Sequence, residues 1–339
     1  MSRQGSTPVN TSSTNKNLLL NSDMTFAQRG TGPITGAGSA QYSVDRWTGW
    51  FPSAGTYTSP QIRQSSLPAN FPGDQDISLC HRLVASTSTN GSHVRYQRVE
   101  SYRLEQMESN VVSFGFLASV NNYQSCQITL IQTPNGRDNW TGQIVQSSPV
   151  FNVEDTNGGW QLFKFENVTL TNRDGLECRI TFFGEVTPGG GTDTYVTQAM
   201  CNEGSFLQPW SLAEETTDKE LAACQRFYEK SYRTGIAPGT PSSIGVWGYH
   251  SGSLANGGGK PGPTFKVQKR SIFPVMTTYA SSGTANAHTR VHDSSGVTTS
   301  NTVTGFSVAA TDWGVYAHSG QVGARLEGVS YHWTADAEL

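Results

Sequence analysis

Short apolar runs, rich in β-branched and aromatic residues and separated by turn-forming residues, recur along the chain from Asn17 onward. Runs of this length with Gly, Asn, Asp or Pro at their ends are typical of antiparallel strands. Loops such as PNGRDN and DTNGG carry the Asn-Gly pairs that tight turns favour. The first half of the chain therefore predicts a β-sandwich built from the runs NLLLN, QYSVDRWTGW, ISLCHRLVAS, HVRYQRVESY, VVSFGFLASV, SCQITLIQT, WQLFKFENVTL, CRITFFGEV and YVTQAMC.

A second group of strand-like runs follows residue 236. A Gly-rich loop, LANGGGKPGP, separates the first two of them. The pattern predicts a second, smaller sandwich made from SIGVWGYHSG, PTFKVQ, SIFPVMTTYAS, AHTRVHDSSG, NTVTGFSVAAT, WGVYAHSG and RLEGVSYHWTADAEL.

One stretch between the two groups, TDKELAACQRFYEKS, has helical rather than strand periodicity. Thr217 and Glu220 have the spacing of a capping box at a helix start. The Gly and Pro residues from Gly235 onward predict the end of the helix. We expect a helix of about three to four turns that joins the two β-domains, with one face formed by Leu221, Cys224 and Tyr228.

The fold class predicted is all-β, with two β-sandwich domains joined by a short α-helix. Residues 1–16 are almost devoid of apolar side chains, so they predict a flexible N-terminal arm. The division along the chain is an arm over 1–16, a first sandwich over 17–210, a helical connector over 211–235 and a second sandwich over 236–339.

Composition narrows the function classes. Only 14% of the 339 residues are charged, and 36 are Gly, a profile commoner in β-rich extracellular or virion proteins than in helical cytosolic enzymes. The net charge is −3 and Lys and Arg form no run, which argues against a nucleic-acid partner. No segment approaches the roughly 20 apolar residues of a membrane span, and no signal peptide is expected.

The five cysteines are widely spaced, with no C-x-x-C and no His at zinc spacing. They are interpreted as free thiols of a protein that folds in a reducing cytosol, namely Cys80, Cys126, Cys178, Cys201 and Cys224. His288 and His292 share a strand face but have no third ligand nearby, so two solvated histidines are favoured over a metal site.

No nucleophile elbow, P-loop or H-E-x-x-H pattern occurs in the sequence. Carboxylates that could be paired for glycoside hydrolysis are better explained as turn-forming and surface residues; they are Asp155, Asp174, Glu177, Asp193 and Asp312. The sequence thus predicts a protein that is not an enzyme.

Aromatic clusters are the most informative candidates, because sugar rings rest on the flat faces of Trp and Tyr beside amides and carboxylates. One cluster, DRWTGWFPSAGTY, lies in the first sandwich. Core packing is the alternative role for every cluster. The candidate carbohydrate-binding residues all belong to the second sandwich and are Trp247, Tyr249, Asp312, Trp313 and Tyr316.

Several stretches together resemble a known family. NLLLNSDMTFAQRG, YSVDRW, RYQRVESYRLEQMESNVVSFGFLASV, GGWQLFKFENVTL and YVTQAMCNEGSFLQPWS resemble the carbohydrate-binding-module-like jelly-roll domain of phage and prophage tail fibres. ELAACQRFYEKSY is similar to the segment that follows this domain, and FPVMTTYASSG and WTADAEL resemble the C-terminal tip domain. The resemblance covers most of residues 17–339 in the family's order.

The resemblance implies a bacteriophage virion protein that is made in the host cytoplasm and has jelly-roll-like sandwiches. It also implies a homotrimer, in which Leu221, Cys224 and Tyr228 from three chains would meet on the threefold axis. The alternative is that this helix face packs on its own N-terminal sandwich. Residues 1–16 would dock to other virion proteins.

The sequence leaves three functions to compare. The first is a tail fibre or receptor-binding adhesin that presents loops to host surface polysaccharide. The second is a purely structural fibre or capsid-decoration subunit. The third, a polysaccharide depolymerase, is disfavoured because no internal repeat of a β-helix appears. No cofactor is expected; DTNGGW is a candidate loop for a structural calcium ion.

Overall fold

The computed structural model describes residues 16–30, 34–35, 40–50, 56–58, 61–63, 79–85, 89–120, 123–153, 160–186, 194–250, 262–294, 297–304, 307–319 and 327–338. Over these residues the chain forms twenty-two strands and two short helices. Every strand pair in this part of the chain is antiparallel. The predicted all-β fold is confirmed.

The first sheet has seven strands, in the order β1-β4-β6-β14-β8-β12 with β5 also paired to β6. Its strands are β1 (Ile34–Thr35), β4 (Thr56–Thr58), β5 (Gln61–Arg63), β6 (Leu79–Ala85), β8 (Val111–Ser119), β12 (Gln161–Thr169) and β14 (Thr194–Glu203). The longest ladders join β8 to β14 on one side and to β12, the edge strand, on the other.

The second sheet also has seven strands, in the order β10-β9-β13-β7-β3-β2 with β11 also paired to β9. Its strands are β2 (Gln41–Val44), β3 (Trp47–Trp50), β7 (Thr89–Glu100), β9 (Ser125–Gln132), β10 (Ile144–Ser147), β11 (Phe151–Asn152) and β13 (Gly175–Val186). Strand β13 is central, because it pairs with β7 on one side and with β9 on the other.

The two sheets pack face to face around one apolar core. Strand β13 contributes alternate residues to it, as the period of two along a strand requires; these are Leu176, Cys178, Ile180 and Phe182. From the first sheet, Phe116 and Phe163 stack with ring centres 5.3 Å apart. Phe116 also meets Phe182 edge to face at 6.2 Å, which joins the inner faces of the two sheets. This is the first β-sandwich.

The C-terminal part of the chain forms a third sheet of six strands. They are β15 (Tyr228–Lys230), β16 (Trp247–His250), β17 (Val275–Tyr279), β18 (Ala287–Ser294), β19 (Val297–Thr304) and β22 (Glu327–Asp336). Strand β22 is its centre, since it pairs with β15, β16, β17 and β18. A hairpin formed by β20 (Ser307–Thr311) and β21 (Gly314–Ser319) is the second layer.

A separate apolar core lies between β22 and the hairpin. Alternate residues of β22 point into it, namely Val329, Tyr331, Trp333 and Ala335. Ala310 and Val315 come from the hairpin, and Phe265 comes from the segment that precedes β17. The second, smaller β-sandwich therefore combines β20, β21 and β22, which are neighbours in the chain, with β15, which lies much earlier. Residue 236, the predicted domain start, lies after β15, the first strand of this sheet.

The predicted connecting helix exists but is shorter than expected. Helix α2 spans Thr217–Gln225, nine residues, and its N-cap is Thr216, whose hydroxyl accepts a hydrogen bond from Lys219 N at 3.4 Å. Tyr228, predicted to lie on the helix, instead begins β15 and pairs with Asp336 of β22. Pairing with β22 supplies hydrogen bonds that override the local helical pattern.

The helix face predicted to meet two other copies of the chain is covered within one chain. Cys224 is buried with Leu20, Phe26 and Ala213 in a small cluster, and Leu221 packs against it. Tyr228 is buried as well. Of the two alternatives for Leu221, Cys224 and Tyr228, packing within one chain accounts for their burial. Their role at a trimer interface stays a prediction.

The run NLLLN, predicted as a strand, is a buried loop instead. Asn17 Nδ2 donates to Ala199 O at 2.9 Å, and Asn17 Oδ1 accepts from Cys201 N at 3.0 Å. Asn21 Oδ1 accepts from Phe26 N at 2.8 Å. Because these amide side chains satisfy backbone groups that a sheet partner would otherwise satisfy, the segment can be buried without being a strand.

Two further differences concern element type. The run HVRYQRVESY ends in a five-residue helix, α1 (Ser101–Glu105), after β7. The run PTFKVQ forms only an isolated bridge, between Thr264 and Gly314. Neither departure changes the fold class. Within the part of the chain that the structure describes, no helix combines the length and the apolar character that crossing a bilayer would require.

Candidate functional site

Trp313 lies in the two-residue turn between β20 and β21, and its side chain is 62% exposed. It is preceded in the turn by Asp312, which is partly buried. The sequence analysis placed Trp313 at the start of the strand-like run WGVYAHSG, whereas in the structure it lies in the turn just before β21. An indole this exposed contributes little to the core beneath it and is available to a ligand.

Main-chain hydrogen bonds hold this turn in place. Phe265 N donates to Trp313 O at 3.0 Å, and Lys269 N donates to Asp312 O at 2.7 Å. Gly314 follows Trp313, and a Cβ added to it would lie 2.8 Å from Pro263 O. Only glycine therefore lets the start of β21 approach Pro263 this closely. The turn is therefore fastened to residues 263–269 on its inner side while the indole remains outside.

The turn that carries Trp313 also carries one member of a pair of polar side chains. Asp312 Oδ2 accepts a hydrogen bond from Gln268 Nε2 at 2.6 Å, so a carboxylate and an amide are joined next to Trp313. Carboxylates accept and amides both donate and accept, which matches the hydroxyl groups of a sugar. An apolar ring face with such groups at its edge is a suitable platform for a pyranose ring. We call Gln268, Asp312 and Trp313 the hairpin-tip site.

The other predicted sugar-binding residues have different surroundings. Trp247 is partly buried, its ring centre lies 5.4 Å from that of Tyr331, and it packs against the second core. Its contacts are those of a packing residue, as the alternative interpretation expected. Tyr249 and Tyr316 lie in β16 and β21, and their side chains are outside the described part of the structure. Their role in sugar binding stays a prediction.

Sequence reasoning missed a groove of about 380 Å³ beside α1 and α2. Tyr102 lies at this groove and is 62% exposed, and the buried carboxylate of Glu100 lines it. Arg103 Nη2 bonds to Glu214 Oε1 at 2.6 Å, and Arg226 pairs with Glu100. No local pattern indicated the groove, because its walls come from segments about one hundred residues apart along the chain. One wall is helix α1, which the sequence analysis did not predict.

The charges at this groove continue into the second sandwich. Arg270 Nε lies 3.1 Å from Glu100 Oε1, and its Nη2 lies 3.1 Å from Asp138 Oδ2. Each carboxylate and guanidinium named here already has an opposite charge as its partner. These residues therefore serve first to join the two sandwiches, and the groove has a weaker claim to ligand binding than the hairpin-tip site.

Two of the remaining catalytic and metal-binding candidates from the sequence are buried residues of the described structure. Glu177 is fully buried and pairs with Arg98 and Arg179. His288 is fully buried in β18, so its interpretation as a solvated histidine is wrong. Asp155 and Asp193, the loop DTNGGW apart from its Trp, and the side chain of His292 lie outside the described residues. No cluster of three or more potential metal ligands occurs among the residues that are described.

The four described cysteines are all buried. Cys126, Cys178, Cys201 and Cys224 are free thiols with buried side chains, which confirms that interpretation for these four. Burial raises the pKa of Cys126 to about 12. In a folded chain at neutral pH such a thiol is not a ready nucleophile.

No protein-family model matches the chain, and no curated protein matches it either.

Solved structures match part of the chain at low similarity. A tailspike protein 4 domain of bacteriophage CBA120 is 13% identical over 48% of this chain and 19% of its own, with a TM-score of 0.32. TmCBM61, solved in complex with β-1,4-galactotriose, is 12% identical over 56% of this chain and 99% of its own, with a TM-score of 0.31.

A putative sugar-binding protein from Bacteroides thetaiotaomicron is 12% identical over 56% of this chain and 100% of its own, with a TM-score of 0.33. Likeness at this level leaves the function of the present chain to be argued from its own residues.

Proposed function

We propose that this protein is a bacteriophage virion protein, a tail fibre or receptor-binding adhesin, which binds a glycan of the host cell surface without catalysis. The observation that supports it most is the hairpin-tip site, where Trp313 is 62% exposed in a turn fastened from below. The sequence segments that resemble phage tail fibres support the virion role.

An exposed Trp at such a position is unusual for a residue with only a packing role. Trp side chains are highly buried on average, and exposed aromatic residues are concentrated at binding surfaces. The turn is already ordered by Phe265 and Lys269, so binding would not have to order this backbone. Asp312 and Gln268 supply the polar groups that orient a sugar ring on the indole.

One indole and two polar side chains bind a sugar only weakly, so an adhesin needs several copies of the site. The proposed homotrimer would present three hairpin tips on one particle. When the sites reach the same surface together, avidity exceeds the single-site affinity by roughly a hundredfold or more. Residues 1–16 would attach the assembly to other virion proteins, and the proposed function needs no cofactor.

The test is saturable binding of the purified protein to intact host cells and to their extracted surface polysaccharide. We expect Trp313→Ala to lose at least tenfold in affinity. Phe206→Ala is the matched control, because Phe206 is an exposed aromatic, 73% exposed, far along the chain from the hairpin tip. Equal binding by the wild type and Trp313→Ala would rule out the hairpin tip as the site.

A structural role in the virion is the second candidate, and a specific surface favours it. Ile272, Phe273 and Val275 are 63%, 69% and 70% exposed within one short run, which is typical of a surface that meets another protein. A folded protein that enters virions but binds neither cells nor polysaccharide would support this role. Release of reducing sugar from host capsule would instead revive the depolymerase.

A further inference from the structure

Two arginines on the outer face of the second sheet share one carboxylate. Arg98 Nε donates to Glu177 Oε2 at 3.1 Å, and Arg179 Nε donates to Glu177 Oε1 at 2.8 Å. The side chain of Glu177 is 0% exposed, whereas those of Arg98 and Arg179 are 22% and 29% exposed. The carboxylate is therefore covered, while both arginine side chains reach the solvent.

The register of the strands fixes this arrangement. Glu177 is opposite Arg98, and Arg179 is opposite Tyr96, in the ladder between β13 and β7. The residues of β13 on either side of Glu177 belong to the core, so the charged side chains face away from it, as the period of two along a strand requires. Strand β13 also pairs with β9 on its other side. The backbone of the cluster is therefore held in place before any ligand binds.

Two aromatic rings adjoin the guanidinium groups. The guanidinium carbon of Arg98 lies 4.3 Å from the centre of the Trp140 ring. The guanidinium carbons of Arg98 and Arg179 lie 5.6 and 5.7 Å from the centre of the Tyr96 ring. The indole N–H of Trp140 is buried and has no hydrogen-bond partner among the described residues. The cluster thus contains a further donor whose acceptor is not supplied by this part of the chain.

The cluster has more cations than anions and more donors than acceptors. Two guanidinium groups face one carboxylate, in a chain whose net charge is −3. Each guanidinium carries about five N–H donors, whereas a carboxylate has about four acceptor sites. A ligand that suits this surface therefore brings a negative charge and several acceptors. A planar carboxylate does both, and it matches the fork of a guanidinium group.

The other arginine pair on a shared carboxylate is balanced. Arg226 and Arg270 both bind Glu100, but Arg270 also binds Asp138, so two cations face two anions there. Those residues join the two sandwiches. The pair at Glu177 lies on the face of one sheet, and its second charge has no such match.

We propose that the two arginines, Trp140 and Tyr96 form a second binding site, which takes the carboxylate of a uronic acid in an acidic polysaccharide. We call these four residues the sheet-face site. The two guanidinium groups hold the carboxylate, and the sugar ring rests against the adjoining aromatic side chains. The site belongs to the first sandwich and the hairpin-tip site to the second, so this inference does not depend on the function proposed for the hairpin tip.

The test is a calorimetric titration of the purified full chain with trigalacturonate and with its methyl ester, which has the same rings without the charges. We expect saturable binding of the acid, at least about tenfold tighter than that of the ester, because the ester cannot pair with a guanidinium group. Added salt should weaken the binding of the acid, since partly exposed charges are screened. Equal affinities for acid and ester, or no binding of the acid, would overturn the proposal.

Inorganic phosphate is the third probe, because two arginines also suit a phosphate. We expect it to bind more weakly than trigalacturonate, since it has no sugar ring to rest on the aromatic side chains. Phosphate that binds as tightly as trigalacturonate would show a site for any small anion, and the assignment to a sugar would be wrong. These three titrations use the wild type and therefore do not depend on how well a variant folds.

Variants locate the site. Arg179→Gln leaves Arg98 as a partner for Glu177 and should weaken the binding of trigalacturonate about tenfold or more. Trp140→Phe keeps an aromatic ring, loses the N–H donor and should weaken it about threefold. Arg233→Gln is the matched control, because Arg233 is exposed in the loop after β15, and should bind as the wild type does. Unchanged binding by both Arg179→Gln and Trp140→Phe, or an equal loss in Arg233→Gln, would place the acid elsewhere and refute the sheet-face site.

Discussion

Lys269 Nζ lies 2.6 Å from Glu229 Oε2, and both side chains are almost completely buried, 0% and 1% exposed. The ammonium group also donates to Gln225 O at 2.6 Å and to Val267 O at 2.9 Å. Glu229 in turn accepts from Lys266 N at 3.1 Å. The pair therefore ties the end of α2 and β15 to the segment that fastens the hairpin-tip site.

Replacing Lys269 by Met should destabilise the protein strongly. The change leaves the Glu229 carboxylate buried without its cation, and breaking one side of a buried ion pair costs about 3–5 kcal/mol. Urea unfolding would measure the free energy of unfolding. Lys219→Met is the matched control, because the Lys219–Glu215 pair is on the surface, 58% and 81% exposed, and should show no detectable change. Similar small losses in both variants would contradict the prediction.

The two candidate tryptophans should differ in their effect on stability. Trp247 packs on Tyr331 and the second core, so Trp247→Ala should lower the free energy of unfolding by about 2 kcal/mol or more. Trp313 is largely exposed, so Trp313→Ala should change it by less than about 0.5 kcal/mol. Thermal and urea unfolding of both variants would check this. A large loss for Trp313→Ala would mean that its indole packs on the protein and is not presented to a ligand.

Stability should rise with pH above neutrality because of Lys230. Its ammonium group is buried and donates to Ile236 O at 2.6 Å. Burial lowers its pKa to about 8, against a partial opposing effect of Asp45. A free lysine titrates near pH 10.4, so between about pH 8 and 10 the unfolded chain holds a proton that the folded chain lacks, and stability increases with pH there.

The measurement for Lys230 is the free energy of unfolding between pH 7.5 and 10, compared with that of Lys230→Met. The wild type should gain stability relative to this variant as the pH rises, because the variant has no amine to titrate. Lys164→Met is the control, since Lys164 is exposed on β12 and should give the same pH profile as the wild type. A constant difference between the wild type and Lys230→Met would sink the prediction.

The strand pattern could be predicted from the sequence because alternation is a local signal. In β13, Leu176, Cys178 and Ile180 face the core while Glu177 and Arg179 pair with each other outside it. The same alternation reappears in β22. Each strand reports its own buried face, and the number of such strands is enough to give the fold class.

What the sequence could not reveal depends on partners far away in the chain. Glu220 was predicted to cap its own helix, but its carboxylate accepts from Asn21 N at 2.6 Å and from Glu214 N at 2.8 Å. Tyr228 was predicted as helical from the local pattern. That pattern could not reveal its strand partner, Asp336, which is more than one hundred residues away. Non-local hydrogen bonds of this kind decide where α2 ends and why residue 21 is buried.

The candidate site divides in the same way. The two strand-like runs on either side of Asp312 could be predicted, but the sequence analysis gave Trp313 to the second run, whereas it lies in the turn. Whether an aromatic residue is exposed is not a local property, and Trp247 and Trp313 look alike in sequence. Only the position of Tyr331 beneath Trp247 separates the packing residue from the exposed one.

The side-chain carboxylate of Glu338, just after β22, should be a major link between the two sandwiches. Its Oε1 lies 3.3 Å from Arg29 Nη1, and its Oε2 binds Arg46. Arg46 is only 3% exposed, and its guanidinium carbon lies 3.5 Å from the centre of the Phe227 ring. Both arginines belong to the first sandwich, so one side chain from the end of β22 holds two buried charges of the other domain.

Glu338→Gln removes this charge but keeps the shape of the side chain. We expect a loss of about 1.5–3 kcal/mol, the range for hydrogen bonds to charged groups, because the buried guanidinium of Arg46 loses its anion. Glu108→Gln is the control at an exposed glutamate and should be neutral. The second sandwich should also unfold at a lower temperature than the first in Glu338→Gln, because their contact is weakened. A single unchanged transition in calorimetry would show that Arg270 with Glu100 and Asp138 suffices to couple the two sandwiches.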